Sequence, residues 1–225
     1  MNILVTSGAT REAIDGVRFI TNFSTGSTGA AITDALREAG HSVFYLHGRG
    51  AALPSRRGRA GEFSDFAGLD SALRSQLGSG RFDAVIHLAA VSDYSVASVE
   101  AKGRDLPPDV RRKLDSGGDI VLHLRRNFKI VDRLSGYARG RRLYVAAFKL
   151  TCARSARERA RAAAALSLRP VVNAAVHNDM LDIRAGKRAF TIYVRGRAVS
   201  GCRTPRRLAG LMISAIKEAK HAAGS

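Results

Sequence analysis

The first strand and the first helix of this chain are unusually far apart, and that gap restricts the fold more than any other feature. Residues 2–6 (NILVT) form a short apolar run that stops at Ser7-Gly8, the pattern of a buried strand closed by a turn. Helical spacing begins only at residue 28. There Ala31, Ile32, Ala35 and Leu36 share one face of residues 28–40 (TGAAITDALREAG), and Gly40 suits a C-cap. A second apolar run at 42–46 (SVFYL) completes a strand–loop–helix–strand unit with parallel strands. A dinucleotide-binding fold needs its glycine fingerprint directly after strand one. Those positions hold Ser7, Gly8 and Ala9, so a nicotinamide-type site is disfavoured.

Further along, residues 51–61 read as a polar, Gly/Arg-rich loop and residues around 64–77 as a helix. Residues 83–90 (DAVIHLAA) read as a third buried strand. Residues 94–119 carry Pro107-Pro108 and Gly117-Gly118 and read as irregular. Residues 119–124 (DIVLHL) alternate as a strand does, and 127–136 suit a short helix. A fourth core strand is expected at 143–148 (LYVAAF), an Ala/Arg helix at 154–168, a fifth strand at 171–176, an edge strand at 191–194 and a closing helix at 204–221. Strands alternating with helices predict an α/β fold: an open, doubly wound, mostly parallel, Rossmann-like sheet. The flexible strap segment is expected around 94–126, within a single domain spanning residues 1–225.

Composition narrows the partners. With 37 Lys+Arg against 19 Asp+Glu the formal charge is +18, which favours polyanionic or phosphorylated partners and equally fits an Arg-solvated surface. No aromatic-interleaved motif accompanies the charge, so nucleic acid is a weak option. Cys152 and Cys202 are isolated and show neither metal spacing nor a disulfide framework. The N-terminal residues read as a strand and not as a signal peptide, and no apolar run reaches transmembrane length. No membrane association and a reducing, cytoplasmic compartment are therefore expected.

In open α/β sheets ligands sit outside the carboxyl ends of the strands, so three segments carry the chemistry. Residues 24–29 (STGSTG) let the backbone approach an anion at a helix start, and equally fit an ordinary Ser/Thr helix cap. Residues 89–94 (AAVSDY) place two small residues at a strand end with Asp93 beside them, a position that also suits a turn-capping Asp. Residues 147–150 (AFKL) set Phe148 to cover a base or sugar and Lys149 to meet phosphate; taken alone, the first also fits a core and the second a solvated surface. Arg111, Arg112, Lys113, Arg125 and Arg126 add positive charge in the strap. His87 reads as a satisfied core residue, and so does His177. No nucleophile elbow, paired acid/base carboxylates or metal-ligand cluster emerges. A site rich in phosphate handles and poor in nucleophiles suits a nucleotidyl-activating ligase, where positioning and electrostatics do most of the catalysis.

Four segments, "ILVTSGATREAIDGVRFITNFSTGSTG", "AAVSDY", "AAFKL" and "HND", occur in the order and rough spacing of phosphopantothenoylcysteine synthetase, the ligase of coenzyme A biosynthesis. The resemblance runs from Met1 to about Val194, and the length and "FKL" are similar to stand-alone synthetases. It implies joining of 4'-phosphopantothenate to cysteine through an acyl-nucleotide, with CTP or ATP, Mg2+ and a homodimer. Arg18 matches an arginine that reaches the substrate phosphate of the neighbouring subunit, and Asn22 the asparagine at the pantothenate carboxylate and the acyl-nucleotide. Gly8, Ser24, Gly26 and Gly29 match the nucleotide phosphate loop and the turn after strand one. Ala89, Ala90 and Asp93 match phosphopantothenate contacts, while Phe148 and Asn178 match the nucleotide pocket. Lys113 matches the strap lysine, with Arg112 as the alternative register; Asn22, Lys113 and Lys149 are the expected catalytic residues, and no side chain is expected to ligate a metal. Departures from the family are Ser27 in place of a frequent Lys, Thr151 after "FKL", and Arg169-Pro170 with Asn173 in the stretch before "HND". The loop "FSTGSTGA" is somewhat similar to the eukaryotic one, which leaves CTP and ATP both open. Two other readings stand beside the ligase. A short-chain reductase-like enzyme is opposed by the missing fingerprint and the absence of a Tyr-x-x-x-Lys pair; a repurposed nucleotide- or nucleic-acid-binding member draws on the altered 165–173 stretch and the high charge.

Overall fold

The computed structural model describes residues 1–108, 111, 113–153 and 155–222. The first half of the chain runs β1 (Asn2–Ser7), β2 (Arg11–Ala13), β3 (Phe19–Thr21), α1 (Ser27–Glu38), β4 (Ser42–Gly48), β5 (Ala60–Phe63), α2 (Phe66–Ser79), β6 (Ala84–His87), β7 (Tyr94–Ala101) and β8 (Arg104–Leu106). It continues as β9 (Ile120–Arg126), α3 (Leu134–Tyr137), β10 (Tyr144–Thr151), α4 (Ala156–Ser167), β11 (Ala174–Asp179), α5 (Met180–Arg184), β12 (Phe190–Val194), β13 (Arg197–Cys202) and α6 (Pro205–His221).

The central sheet has eight strands in the order β13-β12-β11-β10-β6-β1-β4-β5. From β5 to β11 every pairing is parallel; β12 and β13 add an antiparallel edge. β1 lies between β4 and β6, with Ile3 opposite both Val43 and Ala84. Being buried on both faces, it reads as a continuous apolar run. One face is covered by α1 and α6, whose Ile32, Leu36, Leu208, Met212 and Ile216 pack on Ile3, Val5, Ile86 and Val176. The other carries α2 through Leu69, Leu73 and Leu77 against Leu4 and Val85, and α4 through Ala163 against Ala147 and Ala175. Each fully buried Leu contributes about 1.5–3 kcal/mol. The expected Rossmann-like α/β architecture is present, and among the described residues no helix is long and apolar enough to cross a membrane.

Several elements differ from expectation. The stretch 94–119 is not irregular throughout: β7 and β8 pair antiparallel with β9 in a separate three-stranded arm. Val96 and Val99, both buried, stand three apart, which breaks simple alternation. A bulge between Val96 and Ser98 absorbs the extra residue and returns Val99 to the same face. The long excursion after β1 contains a β2–β3 hairpin, with Glu12 opposite Ile20. The loop at 51–61 ends in β5, which pairs with β4. β11 begins at Ala174 and not at 171, because residues 169–172 form a turn closed by Val172 N donating to Arg169 O at 2.9 Å. β10 continues to Thr151 alongside β11, so both run beyond the end of β6.

His87 is fully inside the sheet, and Thr6 Oγ1 lies 2.8 Å from its Nδ1 while accepting from Ala89 N at 3.1 Å. Burial pushes the imidazole down to about 4. Above pH 6.5 it is neutral whether folded or unfolded, so its stability contribution is intact there. Between pH 6.5 and 4 only the unfolded chain takes up the proton, and stability falls by up to about 1.4 kcal/mol per pH unit. His41 and His177 are shifted in the same direction by burial. Urea unfolding at pH 7.5, 6 and 5 is expected to show this loss, and His87→Gln to flatten it; parallel profiles for the two proteins would refute the assignment to His87.

Candidate functional site

From β1 the chain crosses to β4 on one side and later to β6 on the other, so the sheet has its topological switch point between the carboxyl ends of β1 and β6. There Ala9 and Ala90 form a parallel bridge. Ala90 N donates to Gly8 O at 2.8 Å, and Thr10 N to Ala90 O at 3.2 Å. Gly8 has φ +79°, and a Cβ there would lie 2.7 Å from Ala51 Cβ and 3.0 Å from Gly48 N. Both the left-handed backbone and the lack of space require glycine.

The start of α1 meets this point. Gly26, its N-cap, has φ +76° and no side chain with which to cap the helix; Thr25 Oγ1 accepts from Ser27 N at 3.4 Å, and the next N–H groups of the first turn are left without a side-chain cap. Ser7 Oγ donates to Gly26 O at 3.1 Å. A Cβ on Gly29 would fall 2.3 Å from Ser7 Oγ. Gly26 and Gly29 therefore let α1 press onto the end of β1. Ser24 is exposed in the preceding loop, and Thr25 O accepts from Ala52 N at 2.9 Å.

Asn22 leaves the hairpin toward the 89–95 turn, its Nδ2 donating to Val91 O at 3.1 Å. The turn is built on a polar network. Ser92 N donates to Thr10 Oγ1 at 2.9 Å, and Asn127 Nδ2 to Ser92 O at 3.2 Å. Buried Glu12 accepts from Phe66 N at 3.0 Å and from Ser95 Oγ at 2.7 Å. Asp93 stands at the surface in an ion pair with Lys129, and its carbonyl accepts from Asn127 N at 2.8 Å.

Arg18 lies on the hairpin loop and is held by Asp15. Its Nε and Nη2 donate to Asp15 Oδ2 at 2.8 and 2.5 Å. Val17 N and Arg18 N donate to Oδ1 at 2.9 and 2.8 Å. The guanidinium beside Asp15 holds that carboxyl far below the usual carboxylate range, against the opposing effect of burial. Lys113 is exposed next to Leu114, whose backbone contacts this pair. Arg112 lies outside the described residues.

At the third strand end, alternation divides the expected residues. Phe148 and Asn178 lie on the α1 face, half-buried, Phe148 against the core that contains Val176. Lys149 is exposed on the opposite face, paired in register with His177. That face carries a buried polar set of its own: Thr151 Oγ1 donates to Asp179 Oδ2, His177 Nε2 lies 2.8 Å from the same hydroxyl, and Arg159 Nε is 3.4 Å from Asp179 Oδ2. Burial pushes the His177 imidazole down. A concavity of about 490 Å³ between α4 and the β12–β13 turn, with Arg157, Arg161, Tyr193 and Gly196 in its wall, includes none of the expected residues.

The fold thus gathers Gly8, Ala89, Ala90, Asn22, Gly26 and Gly29 around one strand junction, sets Phe148 and Asn178 on the α1 face, and leaves Lys149 on the far face. Ser7, Glu12, Asp15 and Asn127, which orient this junction, were not singled out from the sequence. Only Asp15 carried a signal there: Asp-Gly before Val17 and Arg18 is the pattern of an Asx turn.

An open α/β sheet with an uncapped helix start at its switch point defines a Rossmann-like protein. Residues 1–204 match the family of the DNA/pantothenate metabolism flavoprotein C-terminal domain, and the chain belongs to that family. The coenzyme A biosynthesis bifunctional protein CoaBC of Thermococcus kodakarensis is 36% identical over 132 residues, 59% of this chain and 30% of that protein. The CoaBC of Bacillus subtilis is 35% identical over 136 residues, 59% of this chain and 30% of that protein. The chain therefore matches less than a third of the length of these relatives. In structure it is similar to the DNA/pantothenate metabolism flavoprotein from Streptococcus pneumoniae, with TM-score 0.82, 24% identity, and 97% of this chain and 99% of that one covered. It is similar also to a Cab2 mutant in complex with phosphopantothenate-cysteine, with TM-score 0.81, 17% identity, and 100% and 89% covered.

The Gly29 contact makes a direct prediction. Gly29→Ala is expected to push α1 off β1 and lower unfolding stability by about 1–3 kcal/mol. Gly210→Ala, in α6 with no atom within 4 Å of the added Cβ, is expected to stabilise by about 1 kcal/mol. Chemical denaturation of both variants checks the contrast.

Proposed function

We propose that this chain is a phosphopantothenate–cysteine ligase, acting in coenzyme A biosynthesis as a single synthetase domain. In the first step the carboxylate of 4'-phosphopantothenate attacks the α-phosphorus of CTP or ATP. The bond to the β-phosphate breaks, releasing pyrophosphate and leaving an acyl-nucleotide. In the second step the amine of cysteine attacks the acyl carbon; a C–N bond forms, the C–O bond to the nucleotide breaks, and the amine proton passes to solvent. The observation that carries this reading is the junction of Gly8, Ala90 and Asn22 with the uncapped start of α1, in a chain of this family. The bound phosphopantothenate-cysteine of the Cab2 mutant supports it.

In this reading the N–H groups at the start of α1, opened by Gly26 and Gly29, take the nucleotide phosphates, with Ser24 in the loop before them. Asn22 orients the carboxylate and the acyl-nucleotide. Ala89, Ala90 and Asp93 seat phosphopantothenate, Phe148 and Asn178 border the nucleotide, and Lys113 and Lys149 supply positive charge. Mg2+ is assigned to the phosphates of the incoming nucleotide, whose charge it screens. Arg18 serves the phosphopantothenate phosphate of a second subunit. The exposed Val17, Phe19 and Phe23 beside it, the last 83% exposed, support a homodimer meeting at this hairpin. The cytoplasm is the compartment that goes with this activity.

Pyrophosphate release with 4'-phosphopantothenate, magnesium and either CTP or ATP tests the reading and names the nucleotide. Asn22→Ala is expected to lower turnover about 100-fold, the loss typical of one oriented donor at a developing charge. Silence with both nucleotides, or an Asn22→Ala enzyme with full turnover, would overturn the assignment.

A further inference from the structure

Two cations of the proposed ligase, Arg18 and Lys113, come from segments far apart in sequence, one on the hairpin and one on the arm between β8 and β9. We infer that Asp15 is a positioning residue that fixes both cations as one unit, an inference that rests on the ligase reading. Its carboxylate is 1% exposed and serves two sides. Oδ1 closes the hairpin loop through Val17 N and Arg18 N. Oδ2 takes the Arg18 guanidinium and, at 3.1 Å, the N–H of Leu114, the residue after Lys113. Arg18 Nη2 returns to Leu114 O at 3.1 Å. Both backbone groups of Leu114 are therefore held by the Asp15–Arg18 pair. Lys113 is placed one residue from that anchor, on a segment without regular structure.

The chemistry explains why a carboxylate is needed. A charged acceptor buried this far must be matched by donors on both oxygens, and here, among the described residues, every donor belongs to the hairpin or to the arm. An amide in its place keeps one acceptor for the hairpin turn but turns an N–H₂ toward Leu114 N–H and the guanidinium, donor against donor. Asp15→Asn accordingly leaves the turn in place and releases the arm. Leu114→Pro frees the arm from its own side, by removing the N–H that donates to Asp15, and leaves the Asp15–Arg18 side-chain pair intact.

The test has two parts. The first needs no substrate: hydrogen exchange at the Leu114 amide is measured by NMR in the wild-type chain and in Asp15→Asn. Exchange is expected to rise about tenfold or more, as befits loss of a hydrogen bond to a charged group. Unchanged exchange in a folded Asp15→Asn protein overturns the contact and leaves the ligase reading untouched. The second is kinetic. Asp15→Asn is expected to raise KM for both phosphopantothenate and nucleotide, Leu114→Pro for nucleotide alone, and Leu114→Pro with Lys113→Ala to be no worse than Lys113→Ala. A general loss of stability would not divide the two KM values in this way. Additive effects of the Leu114 and Lys113 changes, or a folded Leu114→Pro enzyme with wild-type constants, overturn the positioning role. If Leu114→Pro does not fold, the Asp15→Asn exchange and KM values decide alone. A wild-type chain without ligase activity removes the reading and the positioning role together, and the exchange result still reports the contact separately.

Discussion

The contact between Gly29 and Ser7 sets the geometry on which the rest of the site depends. α1 reaches the end of β1 only because no Cβ stands at Gly29, where one would lie 2.3 Å from the Ser7 hydroxyl. That hydroxyl in turn holds Gly26 O, so the helix start, the turn after β1 and the strand end form one packed unit. Gly8 and Gly26 both take positive φ and both abut Ala51, which brings the loop after β4 against the same point. A helix start is thus placed at the switch point by small residues and backbone, with no charged side chain needed to hold it there.

Around that unit the chain adds two antiparallel pieces, the β2–β3 hairpin and the β7–β8–β9 arm, and joins them with buried carboxylates. Glu12 ties the hairpin to the root of β7 through Ser95 and to the start of α2 through Phe66 N. Asp15 ties the hairpin loop to Leu114. Asn127, where β9 returns to the main body, closes the root through Ser92 and Asp93. Each carboxylate accepts from several donors across segments, the condition under which a buried charge is tolerated. The hairpin explains the long gap between the first strand and the first helix: the gap is the seat of the arm.

What was legible beforehand followed from period and from glycine. β1, β4, β6 and the helices α1, α2, α4 and α6 lie within a few residues of where apolar spacing put them, because buried parallel strands and amphipathic helices write their burial into the sequence. The residues around 8, 26, 29 and 90 were legible too, since strand ends next to small residues locate the mouth. Of the arm only β9 was, through the alternation of 119–124; β7 was not, because a bulge between Val96 and Ser98 moved Val99 out of alternation with Val96. Glu12 and Asn127 were not, because their partners lie up to 83 residues away and nothing local marks them. The face carrying Lys149 depends on where β10 ends, and that strand runs three residues past Phe148 only because β11 continues beside it.

By itself, then, the sequence determined the parallel α/β core, the glycine-dependent turn after β1 and the order of the small-residue segments at the strand ends, since these follow from local pattern and backbone freedom. Tertiary structure alone decided how they meet. It put Asn22 on Val91 O, Arg18 on Asp15 and Leu114 on both, and it separated Phe148 from Lys149 across the sheet. The hydrogen-bonded pairings join residues from distant segments and leave no periodic trace along the chain, and the separation of Phe148 from Lys149 rests on β10 continuing beside β11.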